Sequence, residues 1–238
     1  MRTLRSSGKG IRVALHFQFG IGRRTWLAGV VSALAFGLVP VAGAATLTLG
    51  LNFEFSGGTT PAGTPPFLTA TFDDSVGGPN DVRLSMSSSG LVGAESVGFW
   101  WFNFDPALDA SQLVFTAVNN SASVPNSVAG GVDTFMVDGS GMYDIQFDFP
   151  PPPGSNAARF TAGETIVYDL TYISPIDVSD FDFASTGGAN GAFVSAAQVQ
   201  SIAPDDTSGH IGVIPEPATG LLLGVGLAGL AAARRRSR

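Results

Sequence analysis

The sequence predicts an all-β protein whose central part is an antiparallel β-sandwich, jelly-roll or immunoglobulin-like in topology. Three observations lead there. About ten short stretches carry apolar residues at every second position, the period of a half-buried strand. Gly-, Pro-, Asn- and Asp-rich turns separate them at short spacing, and no helical period is sustained before residue 218. No repeat of fixed length is present, which argues against a propeller or solenoid.

The first strand is Leu47, Leu49, Leu51, Phe53 and Phe55 alternating with Thr46, Thr48, Gly50, Asn52 and Glu54. A turn region over 57–66 follows, then Leu68, Ala70 and Phe72 at period two, and Val82, Leu84 and Met86 in the next strand. Residues 96–104 hold Val97-Gly98-Phe99-Trp100-Trp101-Phe102-Asn103-Phe104, where alternation disappears because both faces are apolar; this reads as a central strand buried on both sides, or as a core strand whose outer face binds something. Another strand is expected over 112–118 and a small-residue loop over 119–131. Residues 133–137 and the series Tyr143, Ile145, Phe147, Phe149 flank Asp138-Gly139-Ser140-Gly141, the turn chemistry of a hairpin. Pro150 to Pro153 supply no backbone donor and form a stiff exposed loop. Ile166, Tyr168, Leu170 and Tyr172 alternate cleanly, and two further strands are expected over 176–183 and 193–202, around the Gly-rich loop 186–191.

Charge divides the chain sharply. The whole protein carries −7, but all nineteen acids lie between Glu54 and Glu216, where the only basic side chains besides His210 are Arg83 and Arg159, a formal −17. Such a domain repels phosphate backbones, so no nucleic acid is expected as a partner; cations, neutral glycans and basic surfaces are compatible. With no cysteine there is no disulfide, thiolate nucleophile or cysteine-based zinc site.

The ends carry the other ten basic residues. Residues 1–44 read as a signal peptide: a basic stretch (Arg2, Arg5, Lys9, Arg12, Arg23, Arg24), an apolar run from Trp26 to Val39, and the small residues Ala42-Gly43-Ala44 ahead of a cut between Ala44 and Ala45. Arg23-Arg24-Thr25-Trp26-Leu27 is similar to a twin-arginine signal, though paired arginines also precede many Sec signals, and Sec is the expected route. At the other end Pro215-Glu216-Pro217 is followed by sixteen uncharged residues, 218–233, and then Arg234, Arg235, Arg236, Ser237 and Arg238. A helix of that length reaches about 24 Å, short of the roughly 30 Å hydrocarbon core, so it suits a transient stay. Gly220, Gly224, Ala228 and Ala232 line one side of it, a pattern that allows close helix contact in lipid and equally reads as small residues keeping the segment weakly hydrophobic.

This order of motif, apolar helix and basic stop resembles the PEP-CTERM sorting signal of Gram-negative surface proteins. The resemblance implies that Pro215, Glu216 and Pro217 are recognised by a membrane-embedded exosortase, with the helix and Arg234, Arg235, Arg236 and Arg238 as required context. It implies a single-pass precursor held briefly in the inner membrane, then sorted to the cell surface or extracellular matrix. The expected domains are therefore the signal peptide 1–44, the β-sandwich ectodomain 45–213 and the sorting signal 214–238.

Within 45–213 the chemistry is sparse. His210 is the only histidine there and no Gly-x-Ser-x-Gly elbow occurs, which speaks against a Ser-His-Asp hydrolase; His210 reads as a surface or edge-strand residue. Paired carboxylates for glycoside hydrolysis are compatible with so many acids but not singled out. Asp73, Asp74 and Asp81 around a Gly-Gly-Pro-Asn turn are the candidate weak Ca²⁺ ligands, and no other cofactor is expected. Trp100 and Trp101 are candidate glycan-stacking rings; adjacent strand residues face opposite ways, so at most one is available. The favoured reading is a structural or adhesive matrix protein, not an enzyme, with exopolysaccharide a possible partner; the alternative is a carbohydrate-binding module or carbohydrate-active enzyme displayed by the same signal.

Overall fold

The computed structural model describes residues 45–119, 123–151 and 158–213. The signal peptide, the sorting motif, the apolar segment 218–233 and the terminal arginines lie outside the described residues. Twelve strands run in chain order: β1 (Thr46–Leu51), β2 (Phe53–Glu54), β3 (Leu68–Asp73), β4 (Asp81–Ser87), β5 (Ser96–Phe102), β6 (Val114–Asn119), β7 (Ser127–Val137), β8 (Gly141–Asp148), β9 (Phe160–Thr161), β10 (Thr165–Thr171), β11 (Ser195–Ile202) and β12 (Thr207–Gly212). Two 3₁₀ turns, Ala110–Gln112 and Val178–Phe181, complete the regular structure among the described residues. Among the described residues no helix is long and apolar enough to cross a membrane.

All strand pairs are antiparallel. One sheet has the order β1-β3-β4-β10-β6; the other has β2-β12-β11-β5-β8-β7, with β9 also paired to β5. The apolar positions of the two sheets meet in one core. From the first come Leu49, Leu51, Leu68, Ala70, Phe72, Val82, Leu84, Met86, Ile166, Tyr168 and Leu170; from the second, Val97, Trp100, Phe102, Ile145, Phe147, Ala197 and Val199. Phe72 meets Phe102 edge-on at 5.5 Å, and Phe147 meets Tyr168 at 5.2 Å, so rings from opposite sheets interlock.

Several expectations need correction. The first strand is two: Asn52 separates β1 from β2, which sit in different sheets, and Phe53 is consequently 46% exposed rather than inward. The loop expected over 119–131 ends earlier, because β7 begins at Ser127 and pairs with Asp148 of β8. The stretch expected as a strand over 176–183 contains a 3₁₀ turn instead. Asp177 and Asp180 form a reciprocal capping box, and Val178 and Phe181, three residues apart, both turn inward, which the tighter 3₁₀ pitch allows. Strands β9 and β12 were not expected at all, and β12 lies between β2 and β11, so His210 is not on an edge.

The outer face of the second sheet is also partly covered. Phe55, Trp101, Val137, Tyr143, Phe193 and Ala196 form a separate apolar cluster there. Phe193 arrives on the segment 183–194, which closes on itself through Ser185 and Phe193 and is pinned to the β7–β8 turn by Thr186–Met142 and Asn190–Gly139 bonds. Asn103, 3% exposed, fixes the end of this segment by donating its amide to the carbonyls of Phe193 and Val194 at 3.1 and 3.0 Å.

Candidate functional site

The carboxylates are mostly occupied by turn chemistry. Asp73 accepts from the backbone and hydroxyl of Ser75, which outweigh slight desolvation and, with Arg83, hold its carboxyl below the usual range. Asp81 accepts from Thr171 Oγ1 at 2.7 Å and Gly78 N at 3.0 Å, and the same two bonds lower its pKa. Asp74 accepts from Ala45 N at 2.6 Å. The three proposed calcium ligands are thus each turned onto different protein donors, and no group of three His, Asp or Glu side chains that could hold a metal ion is found among the described residues. Glu95, 2% exposed, takes N–H bonds from Ala62 and Val92. Burial works to raise Glu54, but bonds from Ser56, Gly58 and Gly57 win and lower it.

Both tryptophans are inside. Trp100 is 0% exposed in the main core, its indole N–H on Ser195 Oγ at 2.9 Å. Trp101 points to the outer face as strand geometry requires, yet it is 5% exposed there, with its N–H on Gln146 Oε1 at 2.8 Å. The covering residues come from Phe55 and Phe193, far away in sequence, so neither indole offers an open stacking face.

What the outer face does present is a transverse row. Register aligns His210, Gln198, Phe99, Asp148 and Ser127 across β12, β11, β5, β8 and β7. Directly paired residues share one face of an antiparallel sheet. The first four are half-buried and Ser127 is exposed. Phe99 lies parallel to Trp101 at 5.3 Å, and Trp101 in turn stacks near His210 at 6.1 Å. Gln200 donates to Gln198 Oε1 at 3.0 Å, orienting that amide. Burial pushes the His210 imidazole below its ordinary pKa, against the opposing charges of Asp138 and Glu54. A flat aromatic ring flanked by amide, carboxylate and imidazole is suited to a polar ligand with an apolar face. Strand alternation through Phe99 and Gln198 could have indicated these residues; without β12 the row could not be assembled.

A cleft of about 80 Å³ lies at one end, lined by Asn103, Phe104, Asp105, Asp133, Asp144 and Phe183 among others. Asp144 is structural there: its two oxygens accept from Phe104 N at 2.9 Å and Asp133 N at 2.7 Å.

Val213, just after β12, donates its N–H to Ser195 O at 3.0 Å, and only Ile214 separates it from Pro215. Residues 213–236 match the family model of the PEP-CTERM protein-sorting motif. No curated protein and no solved structure matches the chain. The last described residue is thus the first of the matched segment, and the chain is a β-rich protein carrying a PEP-CTERM protein-sorting motif, which addresses it for export and for an exosortase.

Proposed function

We propose that this protein is a non-catalytic structural or adhesive component of the cell surface or extracellular matrix: a β-sandwich that binds neutral exopolysaccharide on the outer face of its second sheet. The observation that carries the adhesive part is the row His210–Gln198–Phe99–Asp148, in which the Phe99 ring lies among polar groups that can bond sugar hydroxyls. Neutral glycan suits the domain better than an anionic polymer, given its strong negative charge.

Delivery follows from the tail. Arg234, Arg235, Arg236 and Arg238 stay cytoplasmic by the positive-inside rule, which leaves Pro215, Glu216 and Pro217 at the outer face of the inner membrane. Two prolines flank Glu216 there, a sequence that disfavours helix where the exosortase acts. Signal peptide removal at the other end releases the domain outward. The test is affinity electrophoresis of the exported protein in gels containing the host's own exopolysaccharide. Wild type should be retarded, and Phe99→Ala and Gln198→Ala should run as in a gel without polysaccharide. Equal retardation of all three would remove the glycan reading.

A carbohydrate-active enzyme is the second reading, favoured only by the cleft that brings Asp105 and Asp133 to one place. Release of reducing ends from a glycan panel, abolished in Asp133→Asn, would establish it in place of the first.

A further inference from the structure

Ala45 is the first described residue, and its backbone nitrogen does not point into solvent. It donates to Asp74 Oδ1 at 2.6 Å, while Ala45 O accepts from Asp74 N at 3.3 Å. The backbone bond continues the β1–β3 ladder one residue past the Thr46–Asp73 pair, the carboxylate takes the amide that the ladder leaves over, and the Ala45 side chain packs against the main core. A carboxylate has therefore been placed on one particular amide. The neighbouring Asp73 and Asp81 are turned onto Ser75 and onto Thr171 and Gly78, so Asp74 alone of the three faces the chain start.

We propose that Asp74 is the built receptor for the mature N-terminus, an ion-pair site that signal-peptide removal switches on. Hydrolysis of the Ala44–Ala45 peptide bond by a signal peptidase consumes one water and leaves a carboxylate on Ala44 and an amine on Ala45. That amine is protonated below the ordinary α-amino pKa of about 7.7–8.0. The amide N–H that donates to this carboxylate then becomes an ammonium at the same position, so a bond with one charged partner becomes an ion pair with two.

The sequence makes this cation singular. Lys9 is the only lysine in the chain and departs with the signal, so the mature protein keeps a single primary amine, on Ala45. Between Ala45 and Val213 the permanently charged cations are Arg83 and Arg159. Arg83 is held by Asp169 across β4 and β10, and Arg159 is 6% exposed and bonds Ser96. The new ammonium thus becomes a third fixed cation in a strongly acidic domain, at the outer edge of the first sheet. Stabilisation arrives only with processing, so the precursor stays easier to unfold until it has crossed the membrane.

The single amine supplies the test. Exported, processed protein is acetylated at its N-terminus, and melting temperatures of free and acetylated forms are compared for wild type and Asp74→Asn. N-terminal sequencing should begin at Ala45. Acetylation should lower the wild-type melting temperature by about 2–4 °C, the shift expected when the ammonium partner of Asp74 becomes an uncharged amide in a domain of this size. In Asp74→Asn it should change little. As a check that needs no variant, the α-amine of native wild type should acetylate several-fold more slowly than the same protein unfolded in urea. Equal acetylation effects in both proteins, no effect in wild type, or equal labelling rates would overturn the pairing. A first residue other than Ala45 would overturn it through the processing step, which sequencing reveals separately. None of these outcomes depends on exosortase processing or glycan binding, so failure of either leaves this result readable.

Discussion

Replacing Trp101 with alanine tests whether the second sheet is packed on both faces. Trp101 is 5% exposed, sits between Phe99 and His210, and shares its cluster with Phe55, Tyr143 and Phe193. Truncating a buried Trp to Ala costs about 3–5 kcal/mol. The freed Gln146 acceptor adds little because that residue is half-exposed and water can reach it. Trp100→Ala loses the same order and also strips Ser195 Oγ of its indole donor in a site of 0% exposure, worth about another 1 kcal/mol. For a domain of this size a loss of 3–5 kcal/mol lowers the melting temperature by roughly 6–20 °C. Thermal and urea unfolding followed by far-UV circular dichroism avoids using the mutated rings as the probe. Trp100→Ala should be the worse of two severe variants. If Trp101→Ala loses less than about 1 kcal/mol while Trp100→Ala loses its full amount, the outer cluster is not a second core, and Trp101 returns as an open binding ring.

Gly141 follows the β7–β8 turn at φ +97°, where a Cβ would meet Thr186 O at 2.4 Å and Gly187 O at 2.7 Å. Gly141→Ala should cost about 1–3 kcal/mol from backbone strain alone, with the clash in addition, visible as a lower urea midpoint; an unchanged midpoint would show that segment 183–194 does not dock there. His210 gives a pH dependence. Its folded pKa is lowered by burial, so the unfolded chain takes up a proton near pH 6.5 while the folded chain resists until lower pH. Stability should therefore be complete above about pH 6.5 and decline below it, and His210→Phe should flatten the melting-temperature profile between pH 7.5 and 5.5; an unaltered slope would assign that dependence elsewhere. For the tail, Glu216→Ala, Pro217→Ala or deletion of residues 234–238 should leave full-length precursor in the inner membrane. Mass spectrometry of surface-recovered wild type should find no residues 221–238, and their presence would make the tail a permanent anchor.

Where one face of a strand is wet and the other dry, the sequence reads directly: β3, β4 and β10 fall where Leu68, Val82 and Ile166 begin their alternations. The run around Trp100 announces a strand buried on both sides because no polar position remains. Strand β12 was illegible for a physical reason. Gly209 looks like a breaker, but a Cβ there would meet Thr59 O at 2.2 Å, so the glycine reflects close approach of a loop rather than a chain stop. The outward direction of Trp101 was readable from alternation; its cover was not, since Phe193 lies some ninety residues away. Likewise Asp73 followed by Ser75 reads as a local turn once the acceptor is known, whereas the Asp74–Ala45 bond depends on strand pairing that no local pattern displays.

The break at Asn52 acquires a mechanical meaning once the protein is loaded. A pull entering through Val213 is applied along β12, which is hydrogen-bonded on both flanks, to β11 and β2. Force along a strand strains its ladder bonds side by side, whereas force across it would open them one after another. Because β2 continues through a single residue into β1, tension passing from β12 is relayed covalently to the opposite sheet. Traction at the C-terminal end is thus passed to both layers, through the β12–β2 and β12–β11 ladders and the covalent link at Asn52.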